Sequence, residues 1–223
     1  SSLAEANEIT AKAAALRPEY LAKCGGTYSS EWYWSKILHC ARVAPKVYAA
    51  ANDWIELPDW IPFVLTGQLK RCLCAAGHKG LYCPDWGGYA DADFLAAVDP
   101  CLVRIREGLP DQAYHIGHAA GGLNIEWADK LGLPEGIPVA MGIIDAHAGA
   151  VGSGIQAGTM VKIMGTSTCD IAVASLENKL PDIPGICGVA HESVLPGCYG
   201  LEAGQAAVGD IFNLLVHKIE PGR

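Results

Sequence analysis

Apolar residues recur at helical spacing through the first part of the chain and give way to continuous apolar runs in the last part. Residues 3–23 are Ala-rich, with Glu5, Glu8 and Lys12 on a polar side. They predict a helix closed by Gly25-Gly26. Ser29-Ser30 before Glu31 reads as a helix start, with Trp34, Ile37, Leu38 and Ala41 following at helical spacing. Pro45 opens a short helix through Ala51. A further helical segment, 54–65, is interrupted by Pro58 and Pro62 and stops at Gly67. Residues 67–90, rich in Gly, Cys and aromatics, read as a structured loop. More helix is predicted around 91–98, 100–107 and 123–131, the last ended by Gly132 with Pro134 beyond.

The pattern then changes. Residues 137–144 form a continuous apolar run, the signature of a strand buried on both faces. Residues 159–164 and 170–174 are two more strand candidates, joined by the tight turn Gly165-Thr166-Ser167-Thr168. Weaker strands are expected at 185–190 and 194–200, and a helix over 202–216. A mainly helical region thus precedes a strand-rich one, with a boundary expected near 152–158. There is no internal repeat and no low-complexity tract.

Composition narrows the class. Of 223 residues, 51% are hydrophobic and 18% charged, the profile of a globular protein rather than a disordered one. The formal net charge of −8 argues against a phosphate-backbone binder, which needs clustered Lys and Arg. No apolar run is long enough for a transmembrane helix, and no secretory signal is present. The nine cysteines are odd in number and lack C-x-x-C spacing. They read as reduced, mostly buried thiols of a cytoplasmic protein.

Four places could carry chemistry. Asp145 ends the 137–144 run and precedes small residues, which suits a crevice at the carboxyl end of a strand. There it could act as a general base; alternatively it caps the helix that follows. Gly165-Thr166-Ser167-Thr168 could direct N–H groups and hydroxyls at phosphate oxygens, or be an ordinary turn. It is not a Walker A loop, because the G-K-[ST] ending is absent. Lys79, in Gly77-His78-Lys79-Gly80, could reach a sugar oxygen or a phosphate, or be a solvated lysine. Glu202, in Leu201-Glu202-Ala203-Gly204-Gln205, reads as a polyol ligand or as an acid at a helix start. The histidines show no metal-ligand spacing, and His78 and His147 read as loop or cap residues. The tryptophans at 32, 34 and 54 read as core fillers, with one or two available to line a sugar pocket.

Taken together, several segments resemble bacterial L-ribulokinases of the FGGY carbohydrate kinases. They are 26–39, 54–60, 74–79, Asp145-Ala146-His147-Ala148-Gly149-Ala150-Val151-Gly152, Gly165-Thr166-Ser167-Thr168-Cys169-Asp170 and Leu201-Glu202-Ala203-Gly204-Gln205. They match in order and spacing across essentially the whole chain. The resemblance implies an α/β, ribonuclease H-like (actin/hexokinase-like ATPase) fold of two domains around a cleft. Residues 1–153 would be the later part of the sugar-binding domain and 154–223 the start of the nucleotide-binding domain.

The implied activity is ATP-dependent phosphorylation of L-ribulose to L-ribulose 5-phosphate in L-arabinose catabolism. The alternatives are a kinase of D-ribulose or xylulose and a non-catalytic sugar-binding relative. By resemblance Asp145 is the catalytic base and also touches sugar, Lys79 and Glu202 bind sugar, and Gln205 sits beside them. Gly165, Thr166 and Ser167 match a phosphate-binding turn. ATP and Mg²⁺ are the implied cofactors, and no residue here is assigned to the metal. The expected partners are a small sugar (ribulose) and ATP, with no nucleic acid and no membrane; a homodimer is admissible. The family's N-terminal phosphate and Mg²⁺ turn and its adenosine motif have no match here, so the chain alone is expected to be inactive and prone to aggregate.

Overall fold

The computed structural model describes residues 1–181 and 183–219. Helices α1 (Leu3–Leu16) and α2 (Pro18–Ala22) replace the single helix expected over 3–23. Pro18 cannot donate into the helix before it, so the chain breaks at Arg17 and restarts with Pro18 at the first helical position. Helix α3 (Tyr33–Val43) begins later than Ser29-Ser30 suggested; Ser29 instead closes a turn with Trp32 and accepts the Ser35 hydroxyl. Trp34, Ile37 and Leu38 form its buried stripe, and the Trp34 indole donates to the Gly80 carbonyl at 2.8 Å. Helices α4 (Pro45–Ala50) and α5 (Leu57–Thr66) follow, α5 ending at Gly67 in the left-handed region.

The supposed loop at 67–90 is more ordered than its composition suggests. Strand β1 (Arg71–Cys72) runs directly into helix α6 (Leu73–Lys79), whose N-cap is the Cys72 sulfur, accepting from the Ala75 N–H at 3.3 Å. Strands β2 (Tyr82–Cys83) and β3 (Gly88–Tyr89) pair antiparallel across a 3₁₀ turn, Pro84–Trp86. Helices α7 (Ala92–Val98) and α8 (Cys101–Gly108) close this region, α7 capped by Asp91. A single aromatic-rich core of α1–α3, α6–α8 and their loops includes Ile9, Trp34, Leu38, Phe94 and Leu102.

Strand β4 (Ala113–Tyr114) pairs parallel with β1. Strand β5 (Ala119–Gly122) pairs antiparallel with β6 (Pro138–Ala140), on either side of helix α9 (Ile125–Leu131), which is capped by Asn124 and ended by Gly132. The run at 137–144 is therefore not a long strand buried on both faces. Only three residues pair, with Pro138 and Ala140 exposed. The rest is extended backbone leading into α10 (Asp145–Gly152), where Gly142 lies so close to the Pro58 carbonyl that a Cβ would fall 1.8 Å from that oxygen.

A four-stranded antiparallel sheet completes the described chain: β7 (Met160–Met164), β8 (Thr168–Ser175), β9 (Gly188–His191) and β10 (Cys198–Gln205), in the order β7-β8-β10-β9. One face, carrying Ile171 and Val173, packs on Ala146 and Ala150 of α10. The helix expected over 202–216 is corrected. β10 continues through Gln205, and only Gly209–Leu214 (α11) is α-helical, followed by a π-type turn over Leu215–Ile219. Ala203, Gly204 and Gln205 have weak strand propensity. Pairing along the full length of β8 overrides it. Of the span 154–223 assigned to a second domain, Asp182 and 220–223 lie outside the described residues.

Candidate functional site

Helix α6 packs on β9 and touches the first turn of α10 and β10 through Cys74 and His78, and at this seam the chemistry-bearing side chains meet. A cleft of about 410 Å³, partly open to solvent, is lined by Trp32, His78, Lys79, Ile144, Asp145, Ala146, Cys169, Cys187 and Glu202. Three residues singled out from sequence, Lys79, Asp145 and Glu202, thus share one cavity although they are far apart along the chain.

Each is held differently from the sequence expectation. Lys79 is the last residue of α6, not a loop residue, and its ammonium stands 3.5 Å from Glu56. Asp145 is the first residue of α10, with Ile144 as N-cap; it makes no capping bond and is exposed at the cavity rim. A carboxylate there is favoured by the helix N-terminus. Glu202 lies mid-strand in β10, not at a strand–helix junction, and strand alternation turns it to the face that packs on α10.

Glu202 is the best-braced acid of the site. Its Oε2 is 3.2 Å from His147 Nε2 and 3.7 Å from His78 Nδ1. Burial would raise its pKa, but His147, His78 and Lys79 hold it at about 2. His147, fully buried on α10, turns its Nδ1 to the Cys74 sulfur at 3.3 Å. Burial opposes its protonation, yet Cys74 and Glu202 outweigh that and bring its pKa to about 9. His78, stacked on His147 with ring centroids 4.6 Å apart, contacts the Ser193 hydroxyl through Nε2 at 2.9 Å. Burial and the charge of His147 push its pKa down to about 3, so it is neutral. At neutral pH the trio is a His147 imidazolium paired with a Glu202 carboxylate, under a neutral His78.

The ligand atoms of His78, His147 and Glu202 lie within 4.8 Å of one another, close enough to suggest a metal. The ring geometry points elsewhere. The two imidazole planes are only 24° apart and stacked, so their nitrogens project along nearly parallel lines rather than onto one ion. As it stands, the trio is an ion-pair clamp.

Two groups of sequence-predicted residues lie off the cavity wall. Gly165, Thr166 and Ser167 are the exposed tip of the β7–β8 hairpin, where the Gly165 N–H donates to the Ser167 carbonyl at 2.8 Å. The Thr166 carbonyl accepts from Val208 and Gly209, tying the tip to the start of α11. Gln205 is exposed at the end of β10, opposite Thr168 and on the face away from Glu202. Conversely, His147, His78, Cys74 and Glu56 were not read as site residues. The helical spacing of Cys74 and His78 at i and i+4 was the available signal. Trp32 does line the cavity.

No protein-family model matches the chain. Curated relatives do. It is 44% identical over 201 residues to a ribulokinase of Vibrio parahaemolyticus, covering 87% of this chain and 35% of that protein. It is 40% identical over 219 residues to a ribulokinase of Bacillus licheniformis, covering 97% of this chain and 39% of that protein. Over nearly its whole length the chain matches a segment of the ribulokinase family. Ribulokinases are FGGY carbohydrate kinases, and the fold agrees. A xylulose kinase from Rhodospirillum rubrum superposes with a TM-score of 0.73 at 22% identity, over 96% of this chain and 42% of the kinase. A glycerol kinase from Plasmodium falciparum superposes with a TM-score of 0.69 at 15% identity, over 96% of this chain and 43% of the kinase. The fold is the α/β, actin-like ATPase fold of that group. Against the two ribulokinases the chain spans 35% and 39% of their length.

Proposed function

We propose that the protein carrying this chain phosphorylates ribulose with ATP, and that this chain supplies the sugar-facing wall of its active site. The observation that carries the reading is the shared cavity of Lys79, Asp145 and Glu202, in a chain about 40% identical to ribulokinases. In this reading residues 1–153 belong to the sugar-binding domain and 154–223 begin the nucleotide-binding domain. The seam between α6–α10 and the β7–β10 sheet is then the base of the interdomain cleft. A kinase of this kind would work in the cytoplasm, where ATP is supplied. No helix among the described residues is long and apolar enough to cross a membrane.

Asp145 accepts the proton of the terminal sugar hydroxyl as that oxygen attacks the γ-phosphorus in line. Its exposed carboxylate at the cavity rim is free of any cap role and faces the space a second substrate would enter. Lys79 and the Glu202 carboxylate hold other hydroxyls, one donating and one accepting. The Trp32 ring gives the sugar an apolar wall. The Gly165–Ser167 tip, exposed and tied by its bonds to Val208 and Gly209, would then meet phosphate oxygens, with Gln205 beside it. Phosphoryl transfer needs mainly positioning and charge stabilisation.

Mg²⁺, bound with the nucleotide, would offset phosphate charge. Its preference is for an all-oxygen ligand set. The triads that could hold a metal among the described residues contain imidazole or thiol, so no residue of this chain is assigned to it.

The test is Asp145→Asn in the full-length protein, with ADP release followed across a panel of ketopentoses and pentitols. Turnover should fall about 10²–10⁴-fold while calorimetric sugar binding persists. Near-normal turnover would remove Asp145 from the base role. A wild type most active on xylulose or D-ribulose would reassign the sugar.

A further inference from the structure

His147 and His78 have no role in the reading above, yet both are buried where α6, α10 and β10 meet, beside the cavity. His147 is 0% exposed and His78 5% exposed. Histidines are seldom buried so completely without partners on both nitrogens. Here each ring is anchored on its far side. The Cys74 sulfur sits behind His147, and the same sulfur accepts the Ile144 N–H at 3.5 Å. Ser193 sits behind His78 and also reaches the Ala190 carbonyl at 3.3 Å. Glu202 Oε2 lies beside both near-side nitrogens, 3.2 Å from His147 Nε2 and 3.7 Å from His78 Nδ1, in ion-pair contact without hydrogen-bond geometry to either. The other carboxylate oxygen, Oε1, has only a long contact from the Cys169 thiol at 3.9 Å and is the atom left to accept from a ligand hydroxyl.

We propose that His147 is a positioning residue for sugar recognition: braced by Cys74 and stacked on the Ser193-anchored His78, it locks Glu202 through Oε2 so that Oε1 faces the cavity as a fixed acceptor. The proposal rests on the reading that Glu202 binds a sugar hydroxyl. A carboxylate held at one oxygen loses its rotation before the sugar arrives, which lowers the ordering cost of binding. It also stays ionised in a place where burial alone would favour the acid.

The ionisable groups around the pair are Cys74, His78 and Lys79 from α6, Asp145 from α10, Cys169 from β8, Cys187 ahead of β9 and Glu202 itself. Lys79 supports the Glu202 charge, and neutral His78 shields the stack.

The experiment uses the full-length protein with His147→Phe, His147→Gln and Cys74→Ala. His147→Phe keeps the volume and removes both nitrogens. It should raise the sugar KM about ten-fold or more, because the Glu202 carboxylate is left without its close cation. The ATP KM and kcat at saturating sugar should stay near wild type, as expected when ground-state and transition-state binding fall together. The acid limb of kcat/KM for sugar should move to higher pH, because Glu202 then protonates more easily. His147→Gln restores an N–H donor and should recover part of the loss, and Cys74→Ala should cause a smaller rise in KM.

Should His147→Phe fail to fold, the Gln and Ala variants carry the same comparison. In the wild type, ¹⁵N imidazole spectra should show His147 doubly protonated at neutral pH. A neutral His147, or a folded His147→Phe with unchanged sugar KM, overturns the proposal. So does a loss of thermal stability with equal changes in both KM values, which marks a purely structural histidine. If the wild type phosphorylates no sugar, the functional reading fails separately. Calorimetric sugar binding and the ¹⁵N titration then still decide this one.

Discussion

The helical region and the β7–β10 sheet solve the burial problem in opposite ways. The helical region closes on itself: Trp34, Phe94, Leu95 and Leu102 are enclosed on every side, and even Arg71 is 2% exposed. One face of the sheet is covered by α10 and α6; on the other, Val189 and Tyr199 are buried but the β7 edge is open, with Met160 and Met164 65% and 68% exposed. Ile211 and Phe212 of α11 are exposed as well. The candidate site lies where the two regions touch, with Lys79 and His78 from the closed side, Glu202 and Cys169 from the open side, and α10 between them. In the proposed reading, each of the two regions contributes one sugar ligand, Lys79 from the helical side and Glu202 from the sheet.

The comparison can be broken most forcefully at Arg71. Its guanidinium is 2.8 Å from Asp53 and 3.8 Å from the buried Asp59. Burial raises the Asp59 pKa to about 6 even with the Cys72 N–H and Arg71 favouring its charge. Arg71→Met should cost about 3–5 kcal/mol in urea denaturation, because Asp59 is left buried without its cation. Asp59 is raised in the folded state, so the native form holds more protons and stability falls as pH rises through its pKa. Without Arg71 that pKa climbs further, so the variant's deficit should be larger near pH 7 than near pH 5. A deficit independent of pH would show that Asp59 is not the group left stranded.

A somewhat smaller effect is expected at the seam. Glu202 is depressed to about 2, so its contribution is complete above its ordinary value and is lost as pH falls towards 2. His147 is raised to about 9, so its contribution is complete below its ordinary value and is lost as pH rises towards 9. Together they predict that the pair's own contribution is flat between about pH 4.5 and 6.5, on top of the slope that Asp59 supplies. Glu202→Gln should lower stability in that range by roughly 1–3 kcal/mol and flatten the alkaline slope. An unchanged slope would detach His147 from Glu202.

The smallest effect should fall on the open face. Met164→Lys in this chain should move the urea midpoint by the equivalent of at most about 0.5 kcal/mol. Amide exchange should be slower in α3 and α7 than in β7 and α11. Equal protection in both would mean that the sheet is as closed as the helices.

How much of this was legible follows the same divide. Gly67 and Gly132 ended helices where their left-handed backbone requires, and Pro45 opened one. These signals are local, and sequence carries them. Helix α6 was hidden because it is seven residues long and capped by a cysteine sulfur instead of Ser, Asp or Asn. The 137–144 run was read as a buried strand because periodicity cannot show that its partner, β5, is only four residues long. Lys79, Asp145 and Glu202 were found through their motifs. His147 was passed over because its worth lies in Cys74 and Glu202, more than fifty residues away on either side, and no spacing records that.

At Gly188 a Cβ would sit 2.1 Å from His78 Nδ1. The ring therefore rests directly on bare main chain, with no play between them. Any slide of β9 along α6 must carry the imidazole with it, and the imidazole leans on the acid beside it. The outer strand of the sheet is in this sense geared to the sugar wall, so a disturbance at the rim of one should be felt in the grip of the other.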